Sequence, residues 1–184
     1  MNTANARWYP TTRRAAITLL GGIALATFLG ACDDSDRAVA PTAPLFTPGS
    51  GTGSTLIGRG TFAEPFKVKR KTGDWEVEIK AKDPLDIAVQ SITFQPGGHS
   101  GWHRHPGPVF IQVVSGTMTF YESDDPSCSP TVRTAGQGYL DTGEHAHIAR
   151  NESQTPATNL VTYFAPVGAA LRIDVSPAPG NCPF

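Results

Sequence analysis

No stretch of helical amphipathic period reaches ten residues in this chain, so a helical bundle has nothing to be built from. A basic face is also missing: 15 Lys and Arg stand scattered against 16 Asp and Glu, for a formal charge of −1. Without aromatic and basic residues interleaved, there is no case for a nucleic-acid partner. Cysteine is scarce, with three residues in 184. What the chain does have is glycine and proline, 19 and 16 residues, among β-branched residues and short apolar runs. That mixture points to a turn-rich all-β domain. A domain of roughly 100 to 150 residues can bury a real core, and the length fits one such domain plus appendages.

The appendages come first. Arg13 and Arg14 precede an apolar run from Ala15 to Gly30, short of the roughly 20 residues of a spanning helix and rich in Gly and Ala. Residues 1–31 therefore read as a secretory signal. The run ends in Leu29-Gly30-Ala31-Cys32, which resembles the lipobox of bacterial lipoproteins, where the Cys receives a diacylglycerol and becomes the mature N-terminus. The alternative is a plain N-terminal anchor with an incidental Cys. Thr12-Arg13-Arg14 also resembles a twin-arginine export signal. Loss of this segment removes Arg7, Arg13 and Arg14 and leaves a charge of about −4. Residues 32–54, composed of Asp, Ala, Pro, Thr, Gly and Ser, have too little apolar surface to fold and read as a flexible tether with a reach of roughly 25 Å. The expected protein is exported and held at the cell envelope by a lipid on Cys32.

The folded domain is expected over residues 55–184. Phe62 to Lys69, Trp75 to Ala81 and Leu85 to Phe94 alternate apolar with polar residues, as half-exposed strands do. Pro108 to Ser115 puts Val109, Ile111 and Val113 on one face, and Thr117 to Glu122 follows a turn at Gly116. Tyr139-Leu140, His145 to Arg150, Asn159 to Ala165 and Ala170 to Val175 are further short strands. Many short strands at close spacing mean a sandwich or a barrel. Cys128 and Cys182 are the thiols left once Cys32 carries lipid. In an exported protein they most simply form one disulfide; two free buried thiols are the alternative.

All five His residues fall between positions 99 and 147. His103 and His105 are two apart, so in an extended strand both imidazoles project from one face and can converge on a single point. That is the geometry of a metal clip. The flanking glycines, Gly97, Gly98, Gly101 and Gly107, suit tight turns around a short strand.

These residues resemble the motifs of the cupin superfamily of small β-barrels. The first motif runs Gly, five residues, His-x-His, three or four residues, Glu, six residues, Gly. Gly97, His103, His105, Val109 and Gly116 keep every spacing, with Val109 at the Glu position. The second runs Gly, five residues, Pro-x-Gly, two residues, His, three residues, Asn. Gly136, His147 and Asn151 match, while Thr142 and Glu144 stand at the Pro and Gly positions. The resemblance covers about residues 88 to 166. It implies a single cupin-type antiparallel, jelly-roll-like barrel whose metal ligands fall on His103, His105 and His147, with the carboxylate ligand missing.

Three His with open positions can hold a divalent transition metal: Fe, Mn, Zn, Ni or Cu. Three neutral ligands leave the ion its full charge, so the expected partner is a small anionic molecule. His99 and His145 nominally share the ligands' faces. They either ligate or, as rim residues, orient a ligand or meet substrate. Tyr121 and Tyr139 could reach the pocket or be wall residues. Trp102 and Arg104 alternate with the ligands and should face away. Cupins include enzymes, storage proteins and binding modules, so three readings stay open. They are Lewis-acid or oxygen-activating chemistry on the anion, non-catalytic capture of a small ligand, and a barrel used for assembly without metal.

Overall fold

The structure is a computed structural model that describes residues 47–184. The signal over 1–31, the lipidation at Cys32 and the tether up to residue 46 lie outside the described residues. Among the described residues every helix or strand is a strand, twelve in all: β1 (Ser50–Phe62), β2 (Phe66–Thr72), β3 (Trp75–Ala81), β4 (Leu85–His99), β5 (His103–Arg104), β6 (Val109–Ser115), β7 (Thr117–Glu122), β8 (Thr131–Thr134), β9 (Gly138–Asp141), β10 (His147–Arg150), β11 (Ala157–Pro166) and β12 (Ile173–Asp174).

Ten of these strands form one antiparallel sheet that closes nearly into a barrel, the all-β barrel architecture expected. β4 is its spine. β1 pairs with it from Leu85 to His99, and β11 pairs with it from Leu85 to Phe94. β6 and then β9 extend the sheet beyond β11. β10 meets the end of β4 at Arg150 opposite His99 and carries β5 and β7. β2 and β3 form a separate hairpin.

Alternation explains which way the walls face. In β11, Ala157, Asn159, Val161, Tyr163 and Ala165 are buried, and in β6 Val109, Ile111 and Val113 are. With Phe94, Met118 and Phe120 these apolar side chains make the main core. A second, smaller core joins Trp102, Tyr121, Ala146 and Ile148 to Cys182. The expected disulfide is present there: Cys128 and Cys182 are bonded, with Cα atoms 5.3 Å apart. It ties the C-terminal tail to the loop after β7.

The sheet begins earlier than the sequence suggests. Ser50 to Ser54, read as tether, are the first residues of β1, and all thirteen residues of β1 are exposed. A Gly, Ser and Thr-rich segment has no apolar face to announce a strand; it is held by its ladder to β4. Conversely, the strand expected over Ala170 to Val175 shrinks to Ile173–Asp174. Arg172 and the two residues before it form a loop instead, in which Leu171 packs against the main core.

Candidate metal centre

The two motifs are sewn together by backbone. Gly97 N–H donates to Asn151 O and Asn151 N–H donates to Gly98 O, both at 2.8 Å, while Ser100 N–H donates to Ala149 O at 2.9 Å. Asn151 is fully buried. Its side-chain amide donates to Phe94 O at 3.0 Å and Thr155 O at 2.8 Å, and its Oδ1 accepts from Ser153. Asn151 is therefore a structural pin. Gly101, at φ 69°, lets the chain bend into β5; a Cβ there would stand 2.0 Å from Thr47 O.

This stitching brings the three motif histidines together. His103 on β5 lies directly across the ladder from His147 on β10, so both side chains project from the same face of the sheet. His105 lies two residues beyond His103, and the exposed Arg104 between them points away. The three rings are buried, and their ligand atoms all lie within 4.8 Å of one another. Ring centroids are 4.4 to 5.2 Å apart.

Two of the rings are oriented by backbone carbonyls. His103 Nδ1 sits 2.9 Å from Gly101 O, and His105 Nδ1 sits 2.5 Å from Leu171 O. A carbonyl can only accept, so each neutral ring carries its proton on Nδ1 and presents the Nε2 lone pair. Burial, together with the neighbouring imidazoles, holds His103 well below the ordinary histidine range. Burial and His147 bring His105 down to about 4. At neutral pH both are unprotonated, the form a metal requires.

A carboxylate that the sequence motif does not provide stands beside them. Asp141, on β9, pairs across the ladder with Val109 and is 3 % exposed. Its Oδ1 accepts the Gly143 N–H at 2.7 Å. Its Oδ2 lies 2.9 Å from His147 Nδ1 and 3.6 Å from His105 Nε2. Neither Oδ2 nor His147 Nδ1 is aligned for a hydrogen bond, although both are buried. Burial raises the Asp141 carboxyl, but His147, the Gly143 N–H and His105 outweigh it and hold it below its usual value. An ionised oxygen beside two imidazole nitrogens in a buried site is satisfied by a proton on an imidazole or by a metal ion shared with them. The donor set thus suits a divalent transition ion.

The other expected residues divide. His99 is outside the cluster: its Nδ1 accepts the Gly101 N–H at 3.2 Å, because the bend at Gly101 breaks the strand's phase. His145 precedes β10, is exposed, and lies 3.5 Å from Asp124. Tyr121 stands opposite Ile148 in the ladder, one residue out of phase with His147. It faces the second core and donates to Glu152 at 2.9 Å. Tyr139 comes nearer, stacked on Phe120 with its ring 6.5 Å from His147.

A cavity of about 640 Å³ opens onto the site, lined by His103, His105, Gln90, Phe94, Tyr163 and Arg172, among others. Tyr163 donates to Gln90 Oε1 at 2.8 Å, and burial pushes its phenol up to about 12. Arg172 brings a cation to the lining and pairs with Asp174 at 2.6 Å. Glu122 lies opposite His147 in the β7 ladder, and burial pushes its carboxyl up to about 6. Asp141, Arg172 and Glu122 carry no motif. For Asp141, the turn signal Asp-Thr-Gly with an acid two residues after Tyr139 on the inward face was the available clue.

No curated protein matches the sequence. Several solved structures resemble the fold. An uncharacterised Klebsiella pneumoniae protein with a double-stranded β-helix domain is 21 % identical, with 61 % of this chain and 86 % of that one covered and a TM-score of 0.41. A cupin-like protein from Thermotoga maritima is 18 % identical over 49 % and 65 %, with a TM-score of 0.41. Bacillus subtilis oxalate decarboxylase, studied for its Mn(II) centres, is 24 % identical over 49 % of this chain and 23 % of its own, with a TM-score of 0.42. The family model described as Cupin domain matches residues 90–163, the stretch that carries both motifs and all three clustered histidines, and with the barrel this match supports the cupin superfamily for this chain.

Proposed function

We propose that this protein holds one divalent transition metal through His103, His105 and His147 and takes a small organic anion into the adjoining cavity. The observation that carries this reading is the convergence of three buried imidazoles, two of them with Nδ1 occupied by carbonyls and Nε2 left to ligate. A bound ion would supply Lewis-acid or oxygen-activating chemistry. The chain's own contribution is orientation and exclusion: Leu171 and Gly101 fix two rings, Ile92, Phe94 and Leu171 give the cavity an apolar wall, and Arg172, paired with Asp174 in the same lining, offers guanidinium N–H donors to an anion.

Export and a lipid anchor at Cys32 belong to the same proposal and rest on the N-terminal sequence. With them, the cavity would stand at the extracytoplasmic face of a membrane. Replacement Cys32→Ser then releases the protein from membranes, and unchanged attachment contradicts the anchor. For the site, oxygen uptake by the iron-loaded protein with a panel of small thiols, enols and hydroxy acids is the test. Turnover with an anionic member supports an oxygenase. Saturable binding without turnover identifies a capture module.

A further inference from the structure

We infer that Asp141 is the fourth protein ligand of this metal, a carboxylate supplied from β9 in place of the acid that the first motif lacks at Val109. This deepens the metal-binding reading above and rests on it.

Register carries the first part of the argument. Val109 and Asp141 are directly paired residues of β6 and β9, so their side chains leave the sheet on the same face, with Cβ atoms about 4.5 to 5.5 Å apart. A carboxylate lost from one of these positions and gained at the other stays at the same depth in the barrel. Val109 itself is fully buried in the main core and offers no donor.

Geometry carries the second. The turn after β9 fixes the carboxylate, since Oδ1 is held by the Gly143 N–H. Gly143 has φ 81°, and a Cβ on it would stand 2.6 Å from Gly107 O, so the turn admits little else. Oδ2 is left pointing at the histidine cluster, buried and without an aligned hydrogen bond. It lies 3.6 Å from His105 Nε2, an atom whose lone pair is exposed by the Nδ1 bond to Leu171 O. Two electron-rich atoms held face to face away from water repel unless a proton or a metal ion lies between them, and with its proton on Nδ1 toward Leu171 O, His105 offers Nε2 to a metal ion. The same Oδ2 is 2.9 Å from His147 Nδ1, a separation compatible with two neighbouring donors on one ion.

The consequence is a site of three imidazoles and one carboxylate, with the carboxylate on the opposite side of the β6–β9 ladder from the family's usual Glu. The ion's charge is then partly neutralised from within the protein.

The test uses Zn²⁺ as the probe, with affinity read by calorimetry against the full-length protein and its His103→Ala variant. Asp141→Asn should weaken Zn²⁺ binding about 10- to 100-fold, and adding Val109→Glu to that variant should restore most of the loss. Wild-type affinity in Asp141→Asn, beside binding lost in His103→Ala, overturns the role of Asp141 and leaves the histidine site standing. No Zn²⁺ binding by the wild type overturns both. Should Asp141→Asn fail to fold, the zinc-edge anomalous signal in crystals of the loaded wild type decides. An ion about 2.0 to 2.2 Å from Oδ2 supports the assignment, and an ion held by the three histidines with Oδ2 beyond bonding reach overturns it.

Discussion

Val109 and Asp141 face each other across the β6–β9 ladder, the first apolar where the cupin motif carries an acid and the second acidic where a wall residue would do. The exchange changes the expected electrostatics. A divalent ion on three neutral histidines would keep its full charge; with Asp141 at 2.9 Å from His147, one negative charge is already at the cluster. Recognition of an anion then depends more on the guanidinium donors of Arg172, whose charge is offset by Asp174 in the same lining.

Arg172→Gln should therefore weaken anion binding about tenfold, the loss of one charged contact, while metal content stays unchanged. Azide titrated into the Co²⁺-loaded protein and followed by absorption measures it. Equal affinity in variant and wild type removes Arg172 from the ligand's path.

Asp86 should set an acid limb of stability. Its carboxylate accepts from Thr61 Oγ1, from the Gly168 N–H at 2.9 Å and from Arg59 at 2.7 Å, and these partners, Thr61 foremost, lower its pKa to about 2. The folded state thus favours the ionised form relative to the unfolded chain, whose carboxyl titrates near 3.8. The contribution is fully present above about pH 4 and is lost as pH falls toward 2. Denaturant unfolding of wild type and Asp86→Asn should differ most above pH 4 and converge toward pH 2. A constant gap across that window contradicts the assignment.

The Cys128–Cys182 bond closes a separation of 54 residues. In the chain-entropy account, opening it costs about 4 kcal/mol. Cys128→Ser/Cys182→Ser should lower the unfolding free energy by about that amount and leave metal affinity nearly intact, because the bond belongs to the second core.

Asn151 matches the second motif yet makes no contact suited to catalysis. Asn151→Ala deprives the Phe94 and Thr155 carbonyls of a donor, and should cost about 2 to 4 kcal/mol of stability in denaturant unfolding. Metal affinity measured well below the unfolding midpoint should change little.

How much of this was legible in the sequence depends on whether the information was local. His103 and His105 are two apart on a strand and could be named from spacing, while His147 came as the third ligand from the resemblance to the second cupin motif. The turn-rich composition and short alternating runs pointed to an all-β sandwich or barrel, and the resemblance to the cupin motifs chose the barrel. Asp141 showed only as an acid in a turn on the face of Tyr139; its place beside the histidines comes from strand register, which pairs residues 32 positions apart. β1 was read partly as tether because its Gly, Ser and Thr residues hold their place by backbone ladder alone. His99 and His145 shared the ligands' parity on paper, but alternation fails at the Gly101 bend and before β10 begins. Arg172 sits in a loop whose path follows from Leu171 docking on the core, a tertiary fact.

The most direct measurement is the metal content of purified protein, by elemental analysis, beside His103→Ala and His147→Ala. The expected result is roughly one divalent transition ion per chain in the wild type and loss of it in both variants, with folding verified by retained circular dichroism. Full metal retention in both variants, or a folded wild type that takes up no metal from a stoichiometric supply, would contradict the three-histidine centre.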